Sequence, residues 1–97
     1  MQDKKLHQVS IDGVSRTQTA EDKINTTVLS CFITDAGQET LKYLRQITIE
    51  SVAGYNITSE ELRHREGMRF LVGLIEQRIK EGKNVRARQS NKRRTGN

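Results

Sequence analysis

The stretch from Thr58 to Gly82 constrains this chain more than any other part of it. Thr58-Ser59-Glu60-Glu61 has the T-x-x-E form of a capping box, in which hydroxyl and carboxylate each satisfy an orphan backbone donor. Behind it, Leu62, Met68, Leu71, Val72, Ile75 and Ile79 hold a 3.6-residue period, and Phe70 and Leu74 widen the stripe. The spacing predicts a helix over about 59–80, with Arg78 and Lys80 favourably placed in its last turn and Gly82 as its C-cap. An apolar face this wide asks for cover on more than one side. Met68, Phe70, Leu71, Leu74, Ile75 and Ile79 are therefore the expected partner interface. Glycine inside a helix costs about 1 kcal/mol relative to alanine, so Gly67 is read as a point of close helix packing.

Two shorter helices precede it. Thr19 stands in a capping position, with Glu21 and Asp22 in the first turn, where the helix dipole favours acids. Ile24, Val28, Cys31 and Phe32 then follow on one face of a helix over about 20–32. Thr34 caps a second helix, about 35–47, striped by Leu41, Leu44 and Ile47. Thr48–Asn56 reads as a connector, a short strand being the alternative. Residues 1–18 are polar and form an arm in which Val9, Ile11 and Val14 pair briefly as a strand or stay loose until a partner arrives. The expectation is one mainly α domain, a small three-helix unit over 19–82. A flexible N-terminal arm precedes it and a disordered basic C-terminal tail, 83–97, follows.

That tail holds the whole charge excess. Lys83, Arg86, Arg88, Lys92, Arg93 and Arg94 stand together with no acid among them, which leaves 11 bases against 12 acids in residues 1–82. A basic tail can track a polyanion without shape complementarity, so these six residues are the candidate contacts for DNA or an acidic protein surface. The tail has no aromatic residue on which bases could stack, which argues against sequence-specific reading of a single strand.

Catalysis finds little support. With 4% aromatic residues and no Trp, the chain has too few bulky side chains to wall a deep pocket from water. Cys31, His7 and His64 lie far apart without metal-ligand spacing, and Cys31 is read as a small core residue. The acid pairs Glu21-Asp22 and Glu60-Glu61 sit at helix starts, where they serve the dipole. No cofactor or metal is expected. The longest apolar run, Phe70–Ile75, is far short of the ~20 residues that span a bilayer, and Met1–Gly13 lacks the apolar core of a signal peptide. A soluble protein made in the cytoplasm is expected. The small core also predicts marginal stability as a monomer, with self-association as one way out.

Two motifs carry a resemblance. Residues 32–44 read F-x-T-x-x-G-x-x-x-L-x-x-L, on Phe32, Thr34, Gly37, Leu41 and Leu44, and residues 66–75 read E-G-x-R-x-x-V-x-x-I, on Glu66, Gly67 and Arg69. In this order and spacing, residues 24–82 resemble a small helical domain family of tailed bacteriophages, encoded among their head and tail genes. The resemblance implies a non-enzymatic structural or accessory protein, made in the host cytoplasm and carried in the virion. Its partners would be larger portal, capsid or tail components. The alternative is a DNA-binding regulatory protein of helix-turn-helix type, with Arg63, Arg65 and Arg69 on the polar half of the third helix.

Overall fold

The computed structural model describes residues 8–95. A short antiparallel hairpin, β1 (Gln8–Val9) and β2 (Ser15–Arg16), is followed by three helices, α1 (Gln18–Phe32), α2 (Asp35–Ile47) and α3 (Ser59–Thr95). The chain is thus mainly α, a small three-helix unit. The hairpin register pairs Gln8 with Arg16 and Val9 with Ser15. Its turn needs Gly13, whose φ of +84° lies in the left-handed region that side chains avoid. From Gln8 onward the N-terminal segment is therefore no free arm. It is tied down by side chains described below.

Each helix starts on a threonine. Thr17, rather than Thr19, caps α1 by accepting from the Ala20 N–H at 3.1 Å. Thr34 caps α2 through the Gly37 N–H at 2.9 Å, and its hydroxyl donates to the Cys31 carbonyl, so one side chain joins two helices. Thr58 accepts from the Glu61 N–H at 3.1 Å at the head of α3. Between α2 and α3 the connector forms turns and no strand. Arg65 and Arg69 reach back from α3 to hold it: Arg69 donates to the Thr48 and Ser51 carbonyls and Arg65 to the Ser51 hydroxyl.

The largest departure from expectation is the length of α3. It does not stop at Gly82 but runs on to Thr95, so residues 83–95 are helix and not a disordered tail. No proline interrupts them, and Lys, Arg, Ala and Gln are good helix formers. Basic residues also suit the negative end of the helix dipole. Val85 fixes the register, since it is one of three apolar side chains fully buried among the described residues, with Leu29 and Val72.

Gly82 has a different task from the capping one. A Cβ built there would collide with the Asn25 carbonyl and come within 2.8 Å of the Leu29 Cβ, so α1 and α3 cross at this point. The buried positions of α1 are accordingly Asn25 and Leu29. Ile24, Val28 and Phe32 are only half-buried, and Cys31 is exposed instead of sitting in the core. On α2, Ile47 is likewise exposed, while Gly37 is buried against Phe32.

Gly67 also departs from its expected role. A Cβ there meets nothing within 4 Å, so it is not a packing point among the described residues. Gly67→Ala should raise stability by up to about 1 kcal/mol through helix propensity alone. A lower melting temperature for this variant would contradict the open environment.

The radius of gyration is 17.1 Å, against about 12.5 Å for a compact chain of this length. A 37-residue helix is about 55 Å long, and it sets the 60 Å long axis of the molecule. Three buried apolar side chains are a thin core for so extended a frame.

Candidate interaction surfaces

The expected partner interface divides into two faces of α3. Met68, Ile75 and Ile79 are half-buried, beside the fully buried Val72. They belong to the inner face. Phe70 and Leu71 are open to solvent, 62% and 59% exposed, with Leu74 half-buried between them and Gly67 one turn earlier. These residues recur at i, i+3, i+4 and i+7 and form an apolar stripe in which the described chain leaves Phe70 and Leu71 uncovered. Tyr43 and Ile47 on α2, and Val52 and Tyr55 in the connector, are exposed too. Scattered surface apolar residues need no explanation, but a contiguous stripe of this kind marks an interaction surface.

The basic residues form a second surface, now arranged along a helix. Lys83 is exposed. Arg86 donates to the Ser30 hydroxyl at 2.9 Å, and Arg88 pairs with Asp22 at 3.3 Å, so both brace α3 against α1. Lys92 is exposed, and Arg93 and Arg94 continue the helix. Half of the six candidate contacts for a polyanion therefore lie in the last turns of α3.

A polar cluster went unnoticed in the sequence. Arg78, 5% exposed, lies under the hairpin. Its guanidinium donates to Glu21, to the Asn25 side-chain oxygen at 2.9 Å, to the Ser10 hydroxyl at 3.2 Å and to Asp12 at 3.1 Å. Arg16 completes the cluster by pairing with Asp12 at 2.7 Å and with Glu21 at 3.2 Å. The hydrogen bond from Arg16, helped by the Val14 N–H, holds the Asp12 carboxyl far below the usual carboxylate range. Burial pushes Glu21 upward, but hydrogen bonds from Ser10, Arg78 and Arg16 outweigh it and leave a lowered value. The hint in the sequence was a charged residue at the stripe spacing, between Ile75 and Gly82. Beside this cluster a shallow cleft of about 220 Å³ opens between hairpin, α1 and α3, lined among others by Ile11, Asp22, Glu81 and Arg88.

Neither His64 nor Cys31 is part of such a cluster. Both are exposed, and His7 lies outside the described residues. No group of three His, Cys, Asp or Glu side chains among the described residues is placed to hold a metal ion. No described helix is long and apolar enough to cross a membrane.

Of the arginines that would read DNA in a helix-turn-helix, Arg65 and Arg69 are turned to the connector, which leaves Arg63 free on the surface. Residues 48–58 separate α2 from α3, where such a motif has a turn of about 3–4 residues. Comparison with protein-family models, with curated protein sequences and with solved structures finds no match to this chain.

Proposed function

We propose that the chain is a non-enzymatic structural or accessory component of a bacteriophage particle, a helical module that docks on a larger virion protein. The observation that carries the docking part is the contrast between three buried apolar side chains among the described residues and the exposed pair Phe70 and Leu71, with Leu74 half-buried beside them. A frame so weakly filled gains most by burying that stripe against another protein, at about 25 cal/mol per Å² of apolar surface removed from water. The phage context comes from the two motifs at residues 32–44 and 66–75. Thr34, Gly37 and Arg69 of those motifs act as a helix cap, a close contact and a connector clamp, which suits fold determinants better than an active site. The direct test is the composition of purified particles. The chain should co-purify with them, and Phe70→Glu should remove it; absence of the native chain from particles would end this reading.

The basic end of α3 supplies a second contact in this reading, with packaged DNA or with an acidic protein surface. If it engages duplex phosphates, affinity should fall with salt at a slope of about −0.9 per neutralised phosphate, roughly −3 for partial engagement. Replacing Lys83, Lys92, Arg93 and Arg94 by Gln, while keeping the bracing Arg86 and Arg88, should flatten that slope. Equal affinity of the two forms in a DNA titration over several salt concentrations would leave only the acidic-surface target.

A further inference from the structure

After Glu81 the sequence holds six bases and no acid, and the helix continues through it to Thr95. Arg78, Gly82 and Val85 mark the side of α3 that faces inward in this part of the chain. At about 100° per residue, the opposite side carries Lys80, Lys83, Asn84, Ala87 and Asn91. All five are exposed. The row has an order. Ala87 stands in its middle, with one asparagine a turn before it and another a turn after it, and the lysines lie beyond Asn84. Glu81, the nearest acid, is half-buried and turned to the cleft beside the hairpin and α1, and Asn84 meets it only at 3.3 Å. The two arginines that brace α3, Arg86 on Ser30 and Arg88 on Asp22, flank the row without covering it.

We propose that this row reads duplex DNA, with the end of α3 seated in the major groove. The inference rests on taking the basic end of α3 as a polyanion contact, and it names the target and the manner of contact. Tracking phosphates needs only charge. A groove about 12 Å wide that admits one helix asks for more, and the row supplies it. A small side chain at the centre lets the helix backbone approach the base edges. An asparagine amide donates and accepts at once, which matches N7 and N6 of adenine. Asn84 and Asn91 are about 10.5 Å apart along the helix axis, so they reach bases about three steps apart. Lys80 and Lys83 at one end and the exposed Lys92 toward the other serve the phosphates, which position the helix without reading sequence. An acidic protein surface would be served by the cations alone and gains nothing from an alanine set between two amides.

The test is selection of duplexes from a random pool by the full chain, then anisotropy titration of the selected duplex and a scrambled one at fixed salt. The native chain should bind the selected duplex about tenfold or more tightly than the scrambled one. Ala87→Leu keeps charge and helix propensity, so helicity and melting should stay native while affinity for the selected duplex falls about tenfold. Asn84→Ala with Asn91→Ala should bring the selected duplex down to the scrambled level and leave the scrambled one unchanged. A native chain without sequence preference would overturn the groove reading, and so would an Ala87→Leu protein that binds as the native does. In either case, a salt slope flattened by the four Gln substitutions would keep the phosphate contact standing. A native chain that binds no duplex would overturn the groove reading and the DNA contact together.

Discussion

Gly82→Leu should lower stability by about 3 kcal/mol or more, enough to abolish cooperative unfolding in a chain at the marginal end of the usual range. The added atoms have no exit. A Cβ at this position already collides with the Asn25 carbonyl, which is helix backbone, and lies 2.8 Å from the Leu29 Cβ. Neither neighbour can swing aside as the end of a long side chain could. The helices would have to part, and Leu29 and Val85, two of the three fully buried apolar residues, would be uncovered with them. Even Gly82→Ala should be destabilising, although helix propensity alone would reward it by about 1 kcal/mol. The opposite response of Gly67→Ala in the same helix is the control. Thermal unfolding followed by circular dichroism separates the two, since 1 kcal/mol moves the midpoint of a domain this size by about 4–8 °C. A Gly82→Leu protein that melts with the native chain would mean that α1 and α3 do not cross there.

Local signals in this sequence proved readable, and signals that depend on crossing geometry did not. Thr34 and Thr58 cap helices because a hydroxyl three residues ahead of a free N–H acts within one turn, whatever the rest of the chain does. The start of α2 follows from this local rule. The end of α3 does not, because a glycine after the last regular apolar residue looks the same whether it caps a helix or admits a neighbour. Only the position of α1 distinguishes the two, and that information is tertiary. Cys31 and Leu29 were exchanged for a related reason. Ile24, Val28, Cys31 and Phe32 form a valid apolar stripe, but α1 meets a glycine and an arginine on α3. The arginine selects Asn25, whose side-chain oxygen accepts from it at 2.9 Å, and Leu29 follows one turn on. The docking stripe was found as a group, while its division into an inner and an open face awaited the placement of α1 and the connector.

Arg78→Met should cost about 2–3 kcal/mol and should change how stability responds to acid. The methionine keeps an apolar stem of similar reach, so little packing is lost. What disappears is the guanidinium that holds Ser10, Asp12, Glu21 and Asn25 together. Removing one partner of a largely buried charge pair leaves the other uncompensated, which is costlier than never having built the pair. The hairpin has little else to fall back on. Its strands are two residues each, and Val9, Ile11 and Val14 are all exposed, so ionic contacts rather than apolar burial fix it to the helices. Acid acts on the same contacts. Asp12 and Glu21 are both held below their ordinary values of 3.8 and 4.5, so their contribution is fully present above that range. It is lost as pH falls through 4 and toward their lower folded values, where the native state gives up its preference for the carboxylate form. The native chain should therefore show flat stability from pH 8 to about 5 and a decline below about 4. In Arg78→Met the baseline is lower and the acid slope shallower, though not zero, because Arg16 still pairs with Asp12 and Glu21. Urea unfolding at a series of pH values measures both quantities at once. Parallel curves for the two proteins would mean that Arg78 is not what couples the hairpin carboxylates to the fold.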